Sequence, residues 1–425
     1  MVLNRIWIGM FLVSGVVALC KLIFWQDTFI FDDMVKSLFD SSVVGFEVAI
    51  GLTGMLCLWI GILRIGEHGG AVKSMTKAVS PLFSRLFPGV PKDHPAVGSM
   101  MMNFSANMLG LDNAATPMGL KAMAELQTLN PEKNRATDAQ IMFLVLNTSG
   151  LTLIPVSVFG LLTTNSFEDP TVIFLPILIS TYIASLIGLI VVSIKQKINL
   201  FNPVVLAYLG TATLFVCGLL VYVIYNPSHA EVIARVGGPL IIFTIIITFI
   251  IMAIKKRVNV YDSFVDGAKE GFQVAISIIP YLIVILAAIA VLRGSGTLDA
   301  ILDGIRATAE FIGIAATHWV DAMPVGLMKP LSGGGARGAL QDIITQHDHH
   351  GPYQELYESG KKIPMSFVTK IGSTMQGSTE TTFFVLAVYF GSVGITKTRY
   401  AVTAGLLADL GGIIAAIIVS YIFFG

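Results

Sequence analysis

Residues 330–340 read PLSGGGARGAL, three consecutive glycines followed by a cation, in a chain otherwise dominated by Ile, Leu, Val, Ala and Phe. Glycine and proline at this density break a helix. Broken backbone at membrane depth is tolerated only where protein buries it or it lines a watery cavity. The surroundings are membrane-like: of 425 residues 54% are hydrophobic and 13% charged, against roughly 25% charged in a soluble domain, and the mean hydropathy is +0.78. The chain therefore reads as an integral membrane protein whose polar chemistry is concentrated at its breaks. Its 27 basic and 27 acidic residues cancel, so nothing points to a nucleic-acid partner. Cys20, Cys57 and Cys217 lie in apolar runs without C-x-x-C spacing, which excludes a disulfide framework and a metal knuckle. The first apolar run continues through Cys20-Lys21-Leu22 to Trp25 with no small-residue cleavage site, and so reads as a retained span rather than a signal peptide.

About twenty apolar residues cross a bilayer as a helix. Nine segments qualify: 6–25, 44–63, 139–163, 172–194, 203–224, 237–254, 270–292, 364–391 and 401–424. The loops holding Lys73, Lys133, Arg135, Lys195, Lys255, Lys397 and Arg399 are basic, which places them and the N-terminus in the cytoplasm. The opposite loops are acidic or neutral, including Asp32, Asp40, Glu168 and Asp169. This alternation closes only if 99–124 and 322–345 enter the membrane and return to the same side. Stretches 65–98 and 294–317 read as amphipathic segments lying at the interface.

The chain also repeats itself. Gly45-Phe46-Glu47-Val48-Ala49-Ile50 is answered by Gly271-Phe272-Gln273-Val274-Ala275-Ile276, Gly150 by Gly377, and Ala184 by Ala408, all at a separation of about 225 positions. Pro330 to Ala336 falls opposite Met108 to Ala114 in the same order. Five crossings separate the two copies, and an odd number inverts the second. The expected fold is an all-α polytopic membrane protein of about nine transmembrane helices, with two re-entrant helical hairpins in an inverted-topology repeat. Its expected parts are an N-terminal helix and external loop (1–42), a first repeat (43–200), two linking helices (201–258) and a second repeat (259–425). Inverted repeats with broken helices meeting near the midplane are the architecture of many secondary transporters.

Residues 103–123, NFSANMLGLDNAATPMGLKAM, closely resemble the signature of spore maturation protein A. PLSGGGARGAL, with STMQGSTETTFFVLAVYFGSVGITKTRYA at 373–401, closely resembles spore maturation protein B. The resemblance covers nearly everything from residue 40 onward and implies a fused pair carrying the membrane Gate, or nucleoside-recognition, domain. That domain is similar to parts of concentrative nucleoside transporters and of the ferrous-iron permease. Asp112 departs from the first signature, where Gly is expected, and adds an acid to the hairpin. In spore-formers the two separate proteins are linked with dehydration of the spore core.

An ionisable group at membrane depth is by default a functional candidate. Candidate solute-binding residues are Asn103, Asn107, Asp112, Asn113 and Thr116 of the first hairpin, and Thr148, Ser149 and Thr152 of the polar helix after it. The second copy supplies Ser332, Gly333, Gly334, Gly335 and Arg337, then Ser373, Thr374, Gln376, Ser378, Thr379 and Glu380. The glycines let a ligand approach backbone N–H groups at a helix N-terminus, a ready anion site. Arg337 either grips an anionic group there or pairs with Asp342 or Asp409. Glu380, Asp409 and Asp342 are the candidates for coupling to H⁺ or Na⁺. His347, His349 and His350 around Asp348 have a spacing that fits no single helix face and lie beside Gly351-Pro352. The segment reads as a solvated loop, and no metal site is assigned.

No G-x-x-x-x-G-K-[ST], G-x-S-x-G or H-E-x-x-H sequence occurs, so nothing supports ATP hydrolysis or hydrolase chemistry. The expectation is a non-enzymatic, multi-pass protein of the bacterial inner membrane. It would move a small polar or zwitterionic solute, of the nucleoside, amino acid or short peptide class, by alternating access where the two hairpins cross. It would use no cofactor beyond a coupling ion, and its partners would be the solute, membrane lipids and further copies of itself. A cation permease and a non-transporting envelope or lipid-handling protein are the competing readings.

Overall fold

The computed structural model describes the backbone of residues 2–109 and 112–425, and the side chains of these except 2–4, 112–114, 231 and 281. It is all-helical, with 79% of residues in helices and no strand among the described residues. In chain order the helices are α1 (Val2–Trp25), α2 (Ile30–Gly69), α3 (Ala71–Leu86), α4 (Pro95–Met108), α5 (Asp112–Thr128), α6 (Asp138–Thr148), α7 (Val156–Thr164) and α8 (Phe174–Gln196). Then come α9 (Pro203–Val205) and α10 (Thr211–Tyr225), joined by a π-helical turn (Leu206–Gly210), followed by α11 (Pro227–Lys255), α12 (Val260–Gly294) and α13 (Thr297–Phe311). The chain continues through α14 (His318–Met328), α15 (Gly333–Ile344), a second π-helical turn (Thr345–His349), α16 (Gln354–Glu358), α17 (Phe367–Gly377), α18 (Thr382–Ser392) and α19 (Ala401–Phe424).

Seven of the nine expected spans are continuous helices long and apolar enough to cross a membrane: α1, α2, α8, the run Pro203–Tyr225, α11, α12 and α19. The other two are not continuous. The segment 139–163 divides into α6 and α7, and 364–391 divides into α17 and α18. In the first, Ser149-Gly150 ends the helix and Pro155 disfavours helical backbone at Ile154, so winding resumes only at Val156. In the second, the break falls on Ser378-Thr379-Glu380-Thr381, where three short hydroxyl side chains flanking Glu380 compete with helical hydrogen bonds. These are the stretches the repeat places opposite each other. Each expected hairpin is a pair of packed helices, α4 with α5 and α14 with α15. Residues 110 and 111, between α4 and α5, lie outside the described residues.

The chain forms two compact units, each assembled from three separate stretches. The first comprises Met1–Leu56, Ser157–Pro170 and Gly271–Gln376. Within it α1 is held to α12 by Trp7, whose Nε1 donates to the Val284 carbonyl at 3.0 Å, and by a small core of Ala18, Ile30, Met34 and Val291. Phe167 bridges Ile363, with N–H donation from Glu168 to the Ile363 carbonyl at 3.0 Å.

The second unit comprises Cys57–Val156, Thr171–Glu270 and Gly377–Gly425. Its core gathers Phe83, Met100, Met123, Leu126, Ile141, Phe143 and Tyr389. Helices α8 and α19 pack closely because Gly188 faces Ala408, and Gly412 faces Ala184, so that a Cβ on either glycine would come within 3.2 Å or less of its neighbour. Small residues at such crossings let membrane helices approach without apolar driving force from water. Helix α6 opens with a capping box between Thr137 and Gln140, which satisfies two of the orphan N–H groups of its first turn. Basic loops 133–135 and 397–399 pair through an Arg135–Lys397 bridge, and Arg399 meets Asp138 at 2.8 Å. Their shared side agrees with the charge alternation.

Candidate functional site

The site in the second unit grows from the break after α6. Thr148 and Ser149 are buried at the end of α6, and their hydroxyls return to the Val145 carbonyl at 3.0 and 2.8 Å. The unwound carbonyls need other donors. Ser185 of α8, the repeat counterpart of Asp409, donates its hydroxyl to the Ser149 carbonyl at 2.7 Å. The Thr148 carbonyl accepts from the backbone N–H of Glu380 at 2.8 Å. The break of the first repeat and the break of the second therefore meet, joined main chain to main chain. The Met108 carbonyl, at the end of α4, accepts from the Leu153 N–H at 2.8 Å, so the first hairpin joins the same place.

An amide and phenol network lines this junction. Asn107 Nδ2 donates to Asn147 Oδ1 at 2.6 Å, and Asn147 Nδ2 donates to the Phe143 carbonyl at 2.8 Å. Asn103 donates to the Ala115 carbonyl at 2.8 Å and to the Tyr389 hydroxyl at 3.1 Å. The hydroxyl in turn donates to Asn147 Oδ1 at 3.4 Å. Gly119 admits the phenol: a Cβ there would sit 2.2 Å from the Tyr389 oxygen. Buried groups without a partner follow the same path. Asn103 Oδ1, Thr379 Oγ1 and Thr382 Oγ1 are each enclosed and make no hydrogen bond within the protein. Unsatisfied buried polar atoms are few in native proteins and call for a ligand, water or ion to explain them.

Asp409, 1% exposed on α19, joins this set through helix periodicity. Gly405 lies against Thr382, and Gly412 lies against Thr379. Residue 409 falls between them on the same face of the helix. The face of α19 turned to the second break thus carries a carboxyl group.

The sequence candidates divide between the two units. Asn103, Asn107, Thr116, Thr148, Ser149, Thr152, Ser378, Thr379, Glu380 and Asp409 fall in the second. Of these, Asn103 and Asn107 meet the amide network and Thr148 meets Glu380, while Thr152 bonds locally to the Gly150 carbonyl at 3.3 Å. The side chains of Asp112 and Asn113 lie outside the described residues. Ser332, Gly333, Gly334, Gly335, Arg337, Asp342, Ser373, Thr374 and Gln376 fall in the first unit. There Ser332 caps α15, accepting from the Gly335 N–H at 3.0 Å, so the triple glycine is the first turn of a helix rather than an open loop. Asp342 is held by Arg293 through two hydrogen bonds of 2.6 and 3.2 Å. Ser373 Oγ and Gln376 Oε1 on α17 are buried without partners.

The solvated-loop reading of 347–350 is corrected for its two central residues, while His350 is exposed. Asp348 and His349 are buried. Asp348 accepts from the Ser366 N–H at 2.7 Å, from the Ser366 hydroxyl at 3.2 Å and from the Thr369 hydroxyl. His349 stacks on Tyr357 with ring centres 3.6 Å apart. The π-helical turn Thr345–His349 inserts an extra residue and swings these side chains inward, which helical spacing alone does not anticipate. Burial lowers the His349 pKa to about 4.

Asn147, Tyr389 and Ser185 were not singled out from sequence as site residues, nor were Asn165 and Gln341, which exchange hydrogen bonds of 2.9 and 3.0 Å in the first unit. Only Tyr389, a lone phenol in an apolar run, carried a local signal. The rest depend on partners far off in the chain.

The Gate family, described as nucleoside recognition, matches residues 49–165. The chain is 44% identical over 170 residues to spore maturation protein B of Bacillus subtilis (strain 168), a match covering 40% of this chain and 85% of that protein. It is 34% identical over 189 residues to spore maturation protein A of the same organism, covering 44% of this chain and 92% of that protein. No solved structure matches it. With its apolar spanning helices and a Gate (nucleoside recognition) domain, the chain belongs to the family of spore maturation proteins A and B, consistent with a fused A/B protein.

Proposed function

We propose that this protein is a secondary transporter of the bacterial inner membrane, with its N-terminus in the cytoplasm and α4–α5 and α14–α15 as re-entrant hairpins. It carries a small polar or zwitterionic solute by alternating access and performs no covalent chemistry. The observation that carries this reading is the Glu380–Thr148 main-chain bond of 2.8 Å, which joins the broken helices of the two repeats. Around it stand buried hydroxyls lacking partners and the Asp409 carboxyl group. Broken helices facing a polar lining are where transporters hold solute and coupling ion. Amide and hydroxyl groups of Asn103, Asn107, Asn147 and Thr379 suit a hydrogen-bonding, weakly charged solute. Asp409 and Glu380 supply the sites for H⁺ or Na⁺. The family description makes nucleosides the first solutes to test.

The test is the thermal stability of the detergent-purified chain against nucleosides, amino acids, dipeptides, Na⁺, Fe²⁺ and Zn²⁺. A solute at about 100 times its dissociation constant adds about 2.7 kcal/mol to the folded state. The expected result is a shift confined to one solute class and lost in Glu380→Gln. A shift produced by divalent cations alone would overturn the solute reading in favour of cation permeation.

A further inference from the structure

We propose that the first unit holds a separate binding site for an ammonium-bearing organic solute, in a cavity of about 670 Å³ walled in part by Asp40, Glu47, Arg293, Gln341, Asp342 and His349. Every wall residue belongs to this one unit, so the site exists without any contribution from the helix breaks and does not rest on the function proposed above. Its volume is in the range of small-molecule pockets, about 300 to 1,000 Å³.

The charge balance of the wall selects the ligand. Arg293 is already engaged by Asp342 at 2.6 Å and by Asp299 at 3.2 Å. Asp40 and Glu47, two turns apart on one face of α2, are exposed and form no ion pair among the described residues. The cavity therefore carries two uncompensated carboxylates. Asn165 and Gln341 spend their facing amides on each other and act as frame. His349 is 7% exposed, and its Nε2 has no hydrogen-bond partner in the protein. Its other ring nitrogen is used on the Asn165 backbone, and burial keeps the ring neutral. Nε2 is consequently an acceptor, because a neutral imidazole that donates from one nitrogen accepts at the other.

The unpaired carboxylates of the wall are thus two, the enclosed His349 Nε2 adds one acceptor beside them, and Ser37, Gln346, His350 and Tyr357 add to the polar lining. A ligand that balances the two carboxylates is positively charged, and N–H donors on it suit both them and Nε2. An anion would find no Lys on the wall, and the one Arg there is already paired. A metal ion is disfavoured as well, since among the described residues no three His, Cys, Asp or Glu side chains converge as ligands. A primary or secondary ammonium group meets the requirement.

The probes are putrescine and spermidine, with choline as a cation lacking N–H donors, acetate as an anion, and Zn²⁺. Titration calorimetry and melting of the full detergent-purified chain give the readout. Putrescine or spermidine is expected to bind and to raise the melting midpoint, with choline at least about tenfold weaker, a difference of about 1.4 kcal/mol. Glu47→Gln and Asp40→Asn, both close in shape to the native side chains, are each expected to weaken binding about tenfold. His349→Phe keeps a ring against Tyr357 and removes Nε2, and is expected to weaken the amines while leaving the fold intact. Equal binding of choline and putrescine, or amine binding that survives Glu47→Gln and Asp40→Asn together, would overturn the proposal. So would a response to acetate or Zn²⁺ alone, or no amine response in the wild type. Amine binding lost in Glu380→Gln but kept in Glu47→Gln would place the amine at the helix breaks and equally overturn it.

Discussion

The N–H of Glu380 donates to the carbonyl of Thr148 at 2.8 Å, across 232 positions of sequence, and both partners are main chain. Side-chain replacement at either position leaves this bond in place, so its stability rests on how closely the breaks are packed. Gly377, at the lip of the second break, would put a Cβ 2.7 Å from Ile177 Cδ1 on α8. Gly377→Ala is expected to cost about 1 to 3 kcal/mol by overpacking. Ile177→Ala removes all three close carbons, so the double variant should cost less than the sum of the two single ones, read as melting midpoints in one detergent.

Tyr389 ties the first hairpin to α6 through one oxygen. Tyr389→Phe keeps the ring stacked on Phe143, 5.8 Å away, and removes only the hydroxyl that accepts from Asn103 and donates to Asn147. A loss of about 1 kcal/mol is expected. Asn147→Ala strips the acceptor from Asn107 as well and should cost more, about 2 to 3 kcal/mol. Equal stability of the two variants would mean that Asn107 finds another acceptor.

Arg293 and Asp342 form an ion pair with side chains 26% and 12% exposed. Arg293→Met leaves the enclosed carboxylate without its cation, an expected destabilisation of about 3 to 5 kcal/mol. Asp342→Asn added to that variant should restore part of it, because the uncompensated charge is gone. A double variant no more stable than Arg293→Met would show that the two residues are not coupled in this way.

His349 makes stability depend on pH. Its folded pKa of about 4 lies below the ordinary 6.5. Between those values the unfolded chain holds a proton that the folded chain does not, so stability rises with pH in this window and falls as pH drops from 6.5 toward 4. The measurement is the melting midpoint across that range for wild type and His349→Phe, and the acid-side loss is expected to be smaller in the variant.

Much of the architecture was legible in the chain. Apolar length located seven continuous spans, but it also counted 139–163 and 364–391 as spans although each carries a polar stretch, around Gly150 and at 378–381. The repeat placed those two stretches opposite each other. Composition did not reveal that they are fully unwound, because a membrane helix tolerates Ser and Thr by hydrogen bonding within its own turn. Whether it does so depends on donors such as the Glu380 N–H arriving from elsewhere. The His347–His350 segment was misread for a related reason: a π-helical turn changes the direction of side chains without changing which residues are present.

The sequence alone determined the membrane class and the family resemblance, and it set the expected sidedness of the loops. Class and sidedness follow from local quantities: hydropathy summed over about twenty residues and the distribution of Lys and Arg. Tertiary structure decided which polar groups are satisfied and which remain open. Asn107 finds Asn147 at 40 positions, Asn165 finds Gln341 at 176, and Asn103 finds Tyr389 at 286. A hydrogen bond is set by distance and angle in space, so whether Asn165 is frame or His349 Nε2 is free to accept is decided only when helices from distant parts of the chain have packed together.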